Sequence, residues 1–222
     1  MRKRRPYKLP EPLQCGADKP ITLTLAEEYI RQHEERFPRY IYLENLYKGF
    51  HDVYKQPEKP DWKPDNRLAV NFPRYITDTF LGFGYGVPIK KSHPDDTIAQ
   101  AINDFERENE ITDHEYELAR KCCIYGHAFE YLYQDEEAKT KMTICTPMEL
   151  FVVYDDTVKN RALFAVRYGY HSTETDQSGQ RYGEILTREE IIPFEGSTAG
   201  EPMENPYGRL PCVEWMLHED RM

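Results

Sequence analysis

Few side chains have the types and spacing that chemistry needs. Asp155 and Asp156 are adjacent acids, as are Asp95 and Asp96, and paired carboxylates are what a divalent cation or a general acid–base couple requires. On a strand, neighbouring side chains point to opposite faces, so Asp155 and Asp156 converge only on a turn. The Thr157 that follows fits a turn whose side chains bond their own backbone. A small metal-dependent hydrolase or nuclease using this pair is the enzyme reading, and turn formation is the plainer one. Asp95 and Asp96 follow Pro94 and precede an apolar stripe at helical spacing, where N-capping explains them.

Seven histidines, at 33, 51, 93, 114, 127, 171 and 218, show neither HxH nor HExxH spacing. His127 follows Gly126 at a helix-to-strand joint and reads as a joint residue rather than a base. No GxSxG elbow presents a serine nucleophile. The five cysteines, at 15, 122, 123, 145 and 212, lack CxxC spacing and read as reduced structural thiols. Cys122 and Cys123 fall on the last turn of a predicted helix, so at most one faces the core, and a helix C-terminus is the wrong dipole end for lowering a thiol pKa. Gly82, Gly84 and Gly86 follow a helix and precede an expected strand, the reverse of the order a phosphate cradle needs. Their expected use is a sharp exit with positive φ and close packing. No catalytic residue, cofactor or metal site is expected.

The elements that carry these residues are legible from periodicity. Residues 1–20 combine Arg2, Lys3, Arg4 and Arg5 with four prolines, a composition that resists helix and supplies no core. This predicts an extended basic arm, with the four cations as candidate contacts to nucleic acid or to an acidic neighbouring subunit. Thr24 and Glu27 predict a capping box for a helix ending near Arg36. Leu43, Leu46, Tyr47, Phe50 and Tyr54 predict a second helix over 41–54, followed by a proline-rich linker over 55–64. Asn71 caps a third, with the stripe Phe72, Ile76, Thr79, Phe80 and Phe83. Asp95 or Asp96 caps a fourth, with Ile98, Ile102 and Phe105. Thr112 and Glu115 predict a capping box for a fifth, which Gly126 ends.

Beyond Gly126 the pattern alternates. Phe129, Tyr131 and Tyr133 oppose Glu130 and Gln134, and further strands are predicted over 141–145, 150–154, 162–170 and 181–187. Residues 189–208 read as polar and turn-rich, with one last short strand from Leu210 to Trp215. Short connections favour antiparallel neighbours, so the expected class is α+β: amphipathic helices covering a mostly antiparallel sheet, in a domain spanning 21–222.

Hydrophobic residues make up 39% and charged residues 31%, while 17 tyrosines lift the aromatic share to 13%, too high for a disordered chain. Tyrosine combines an apolar ring with a polar tip and suits surfaces partly buried against a neighbour. The net charge of −10, from 39 acids against 29 bases, excludes a body built to grip phosphates tightly. It remains compatible with letting a duplex slide past without a sticking point. No apolar run reaches the roughly 20 residues of a bilayer span, and the N-terminal MRKRRPYKLP lacks the apolar middle of a secretion signal. Use in the cytosol is expected, without membrane association.

In order along the chain, NRLAVNF (66–72), GFGYGVPIK (82–90), IYGHAFEYLY (124–133), TPMELFVVYDDT (146–157) and LFAVRYGY (163–170) resemble the portal proteins of tailed double-stranded-DNA bacteriophages. The branch is the one found in siphophages of Gram-positive hosts, and the resemblance runs from about Tyr42 to about Glu214. It implies a non-enzymatic, wing-like portion of a subunit that assembles with copies of itself into a ring, a dodecamer when full length, at one capsid vertex. It further implies that double-stranded DNA passes without sequence specificity, that terminase, capsid and tail or adaptor proteins are partners, and that the protein resides in the virion after assembly in the host cytoplasm. A typical family member continues past LPCVEW into stem, clip and tunnel regions, which are expected to be absent here; alone, such a chain is expected as monomers or ill-defined oligomers. A monomeric adaptor module is the non-phage alternative.

Overall fold

The computed structural model describes residues 10–171 and 179–217. After a short strand at Leu13–Cys15, the described residues form five α-helices in succession: α1 (Leu23–Glu34), α2 (Phe37–Lys48), α3 (Phe72–Gly84), α4 (Asp96–Glu108) and α5 (Ile111–Tyr125). The cap of α1 is Thr22, whose hydroxyl accepts from the Leu25 amide at 3.3 Å, and not Thr24, because Leu23 is already helical. The chain turns into α2 with Pro38 in its first turn, and α2 stops at Gly49, whose φ of +90° suits glycine. The helix expected over 41–54 is therefore shorter. Phe50 and Tyr54 fall beyond it, exposed, with Tyr54 in a 3₁₀ turn at Asp52–Lys55.

The Asn71 and Asp95 caps form as expected. Asn71 Oδ1 accepts from the Arg74 amide at 3.1 Å while its Nδ2 donates to the Tyr47 carbonyl at 2.9 Å, pinning α3 to α2. Asp95 Oδ1 accepts from the amides of Thr97 and Ile98. The Thr112–Glu115 box does not form. Helix α5 begins at Ile111, after Glu110 takes a left-handed φ of +48°, so Thr112 already lies inside it. Gly126 ends α5 with φ +92° and leads at once into a strand.

The strands are β1 (Leu13–Cys15), β2 (His127–Gln134), β3 (Thr140–Cys145), β4 (Leu150–Asp155), β5 (Ala162–Tyr170), β6 (Arg181–Leu186), β7 (Glu190–Glu195), β8 (Thr198–Ala199), β9 (Met203–Glu204) and β10 (Cys212–Met216). The expected single sheet is two. The larger runs β1-β4-β5-β6-β7-β8 with β9 also on β7, and the smaller runs β10-β2-β3. Every pairing is antiparallel except β1 with β4. Residues 13–15 are thus a strand with Leu13 and Cys15 buried, where an arm without core residues was expected. β7 lies in the stretch expected to be turn-rich.

Period-2 alternation along β4 sends side chains both ways. Phe151 and Val153 join Phe164, Val166, Ile185 and Phe194 beneath Ala26, Tyr29 and Ile30 of α1. Leu150 and Val152, with Ala165 and Leu186, meet Phe129, Tyr131, Cys145 and Cys212 of the smaller sheet. That sheet buries Ala128 and Ile144 against Leu118 and Cys122 of α5. The layers are therefore α1, large sheet, small sheet and α5, with α2, α3 and α4 packed on α5. The class is α+β. Burying each large apolar side chain here stabilises by about 1.5–3 kcal/mol.

Candidate assembly surface

Arg2, Lys3, Arg4 and Arg5 lie outside the described residues. The acids nominated for chemistry are placed and occupied. Asp155 Oδ1 accepts from the Thr157 hydroxyl (2.9 Å), the Arg161 amide (2.9 Å) and the Thr157 amide (3.3 Å). Burial by itself raises the pKa of this carboxyl, but the donated bonds outweigh it and hold the group below the usual carboxylate range. Asp156 is exposed, so the pair does not converge; the turn reading is the one realised. Among the described residues no group of three or more His, Cys, Asp or Glu side chains is arranged to hold a metal ion.

His33, His114 and His127 tie separate elements together. His33 on α1 is buried, with Nε2 donating to the Pro147 carbonyl (2.7 Å) and Nδ1 accepting from the Tyr168 hydroxyl (2.8 Å). Burial dominates its titration and lowers its pKa to about 3. His127, at the helix-to-strand joint as expected, bonds Glu214 of β10 through Nδ1 (2.8 Å) and the Tyr40 hydroxyl of α2 through Nε2 (2.9 Å). Glu130, expected on the open side of β2, is buried instead between His114 Nε2 (2.9 Å) and Trp215 Nε1 (2.5 Å). Nothing local in the sequence signals that contact, because α5 and β10 supply both partners. Burial pushes the Cys122 and Cys212 thiols up to about 12 and Cys145 up to about 11, the wrong direction for nucleophiles.

A second polar group is equally committed. The Arg167 guanidinium lies over the Tyr131 ring at 5.2 Å and 3.7 Å from Glu184, whose carboxylate also accepts from the Tyr131 hydroxyl at 2.8 Å. The clefts around it hold a cation whose charge is already answered.

What stands open is apolar. In α3 only Thr77 and Leu81 are buried, facing the rest of the fold, while Tyr47 of α2 bonds Asp78 at 3.0 Å on one flank. The expected stripe Phe72, Ile76, Phe80 and Phe83 lies on another flank and faces solvent; Phe83 is 94% exposed. Leu68 before the helix and Val87 after it are exposed as well. No atom comes within 4 Å of a Cβ placed on Gly82 or Gly84, so this end of α3 is slender and Phe83 stands clear. The glycine exit works differently from expectation. None of Gly82, Gly84 and Gly86 takes a positive φ, and only Gly86 is required by space, since a Cβ there would sit 2.3 Å from the Gly82 carbonyl oxygen. The residues that follow form no strand.

A hollow of about 540 Å³ lies between α4, α5 and the small sheet. Ile98, Ile102 and Phe105 line it from α4, opposite Met142 and Trp215. At its rim Lys91 bridges Glu106 (2.9 Å) and Glu115 (2.8 Å).

A layered α+β scaffold whose polar clusters are internal ties, and which leaves an apolar ridge and an apolar hollow open, has the features of proteins built to meet other polypeptides. The family is specific: the model of "Phage portal protein, SPP1 Gp6-like" matches residues 26–221, and the chain belongs to that family. The chain is also similar to the portal protein of Bacillus phage SPP1, with 22% identity over 166 residues, 75% of this chain and 33% of that protein. It spans about a third of the length of that relative.

Proposed function

We propose that this chain is the wing portion of a phage portal subunit, acting within a ring of identical copies at one capsid vertex through which double-stranded DNA is packaged and ejected. The observation that carries the reading is the family match over 26–221, nearly the whole chain. Two physical features support it. The apolar flank of α3 is unstable against water on its own and calls for a polypeptide partner. The net charge of −10 disfavours a tight grip on DNA and suits passage without sequence specificity.

In this reading the chain makes and breaks no bonds of its own, and terminase, capsid and tail or adaptor proteins are met by the assembled ring. The basic N-terminal arm contacts nucleic acid or an acidic neighbour through Arg2, Lys3, Arg4 and Arg5, and the wing-like domain takes in strand β1 together with residues 21–222. The protein ends in the virion after assembly in the host cytoplasm; among the described residues no helix is long and apolar enough to cross a membrane. The test is immunogold electron microscopy of tailed particles made by the phage that encodes the chain. Label confined to the single vertex that bears the tail is expected. Label absent from particles, or spread over the whole shell, would overturn the reading.

A further inference from the structure

Two open apolar surfaces on one chain have opposite shape. The α3 strip is convex. Phe72, Ile76, Phe80 and Phe83 leave roughly 500 Å² of apolar surface in water, given that an aromatic side chain carries about 150–250 Å². That equals the largest patch of a typical monomer, about 300–600 Å² and often functional, and is more than half of the ~800 Å² that one partner contributes to a standard interface. The other surface is concave: the hollow of about 540 Å³ floored by Ile102, Phe105 and Met142 and flanked by Trp215. Clefts of roughly 300–1,000 Å³ accept groups the size of aromatic side chains.

The charges are opposite as well. Residues 72–90 carry Arg74 and Lys90 against Asp78, a net of +1, whereas residues 95–121 together with Lys91 at the hollow's rim carry nine acids against Lys91, Arg107, Arg120 and Lys121, a net of −5. The chain already displays the attraction internally, since Lys91 is drawn between Glu106 and Glu115. Pairing the ridge with the ridge of another copy would set like charges together and leave both hollows empty. Pairing ridge with hollow covers both surfaces with one kind of contact and joins opposite charges.

We infer that the α3 ridge of one copy seats in the hollow between α4, α5 and β10 of the next copy, a head-to-tail contact with Phe83 as its anchor. This rests on the portal reading only in its choice of a second copy as the occupant. The contact is heterologous: each chain offers a ridge and a separate hollow, so it propagates to a closed ring or an open chain according to the rotation between neighbours.

The test uses bis-maleimide cross-linking of the purified chain at high concentration. F83C and I98C are prepared as separate proteins and as a double variant, with the parent chain as the blank for the half-buried Cys123. Cross-linked dimers are expected when F83C is mixed with I98C, and a ladder of higher species from the double variant. F83C alone should yield no cross-linked dimer above the blank. Ile76 on the same flank is 63% exposed, so adding I76D to F83C and mixing that protein with I98C should abolish the mixed dimer while leaving the unfolding midpoint nearly unchanged. No mixed dimer, as when another part of the portal fold covers the ridge, overturns the inference. So does an F83C homodimer, which marks ridge-to-ridge packing. Either result holds whatever the gold label on virions shows, so the surface assignment and the portal reading fail separately.

Discussion

Acid should destabilise this protein through His33 in a way that one substitution removes. The imidazole is held neutral by geometry: Nε2 must donate, because its partner is the Pro147 carbonyl at 2.7 Å, which leaves Nδ1 to accept from the Tyr168 hydroxyl at 2.8 Å. Burial lowers the folded-state pKa to about 3, with the Arg36 charge adding to the effect and the Pro147 bond opposing it, against an ordinary value of 6.5. Below pH 6.5 the unfolded chain takes up a proton that the folded chain refuses. Stability therefore falls as pH drops from about 6.5 to about 3, at up to about 1.4 kcal/mol per pH unit. Between pH 6.5 and 4.5 the loss from this one group is about 2–3 kcal/mol. The assay is urea unfolding at both pH values, followed by tryptophan fluorescence, for the parent and His33→Gln. Glutamine can donate to Pro147 and accept from Tyr168 but does not titrate, and carboxylate protonation weakens both proteins alike. The parent should lose about 2–3 kcal/mol more than the variant across that interval. Equal losses would refute the assignment of a neutral buried imidazole.

Three further outcomes are expected. Phe164→Ala opens a cavity between α1 and the large sheet, where the side chain is fully buried, and should cost about 3–5 kcal/mol, read as a lower denaturation midpoint at an unchanged slope. Asp155→Ala removes the acceptor of three hydrogen bonds and should cost about 1–3 kcal/mol, whereas Asp156→Ala on the exposed side should stay within about 0.5 kcal/mol; similar effects from both would contradict the turn geometry. Gly126→Ala forces a Cβ onto a residue with φ +92° and should cost about 1 kcal/mol or more, lowering Tm by about 2–4 °C in calorimetry.

Local signals were readable where local physics decides. The alternation of LFAVRYGY marks β5, and Asn71 and Asp95 cap the helices that follow them. β7 was hidden because Pro193 sits mid-strand opposite Glu184, and proline argues against a strand with neighbours on both sides. Two sheets rather than one could not be foreseen, since β10 reaches back to β2 across most of the second half and pairing at that distance leaves no periodic trace. The α3 stripe teaches the same lesson from the other side. Spacing shows that Phe72, Ile76, Phe80 and Phe83 share a flank, yet it cannot say whether that flank meets the protein's own core or open water. The candidate surface was legible as a pattern of residues and illegible as a surface. The burial of Glu130 escaped for the same reason as the second sheet.

One joint governs how this body moves. Helix α5 supports α2, α3 and α4 and runs into β2 through Gly126 alone, while His127 beside it is tied to both α2 and β10. With no slack segment between helix and strand, a push delivered to the outer helices travels into the small sheet as a displacement of the whole block. The irregular residues between α2 and α3 lie outside that joint, so local give is expected there rather than at the helix-to-strand step.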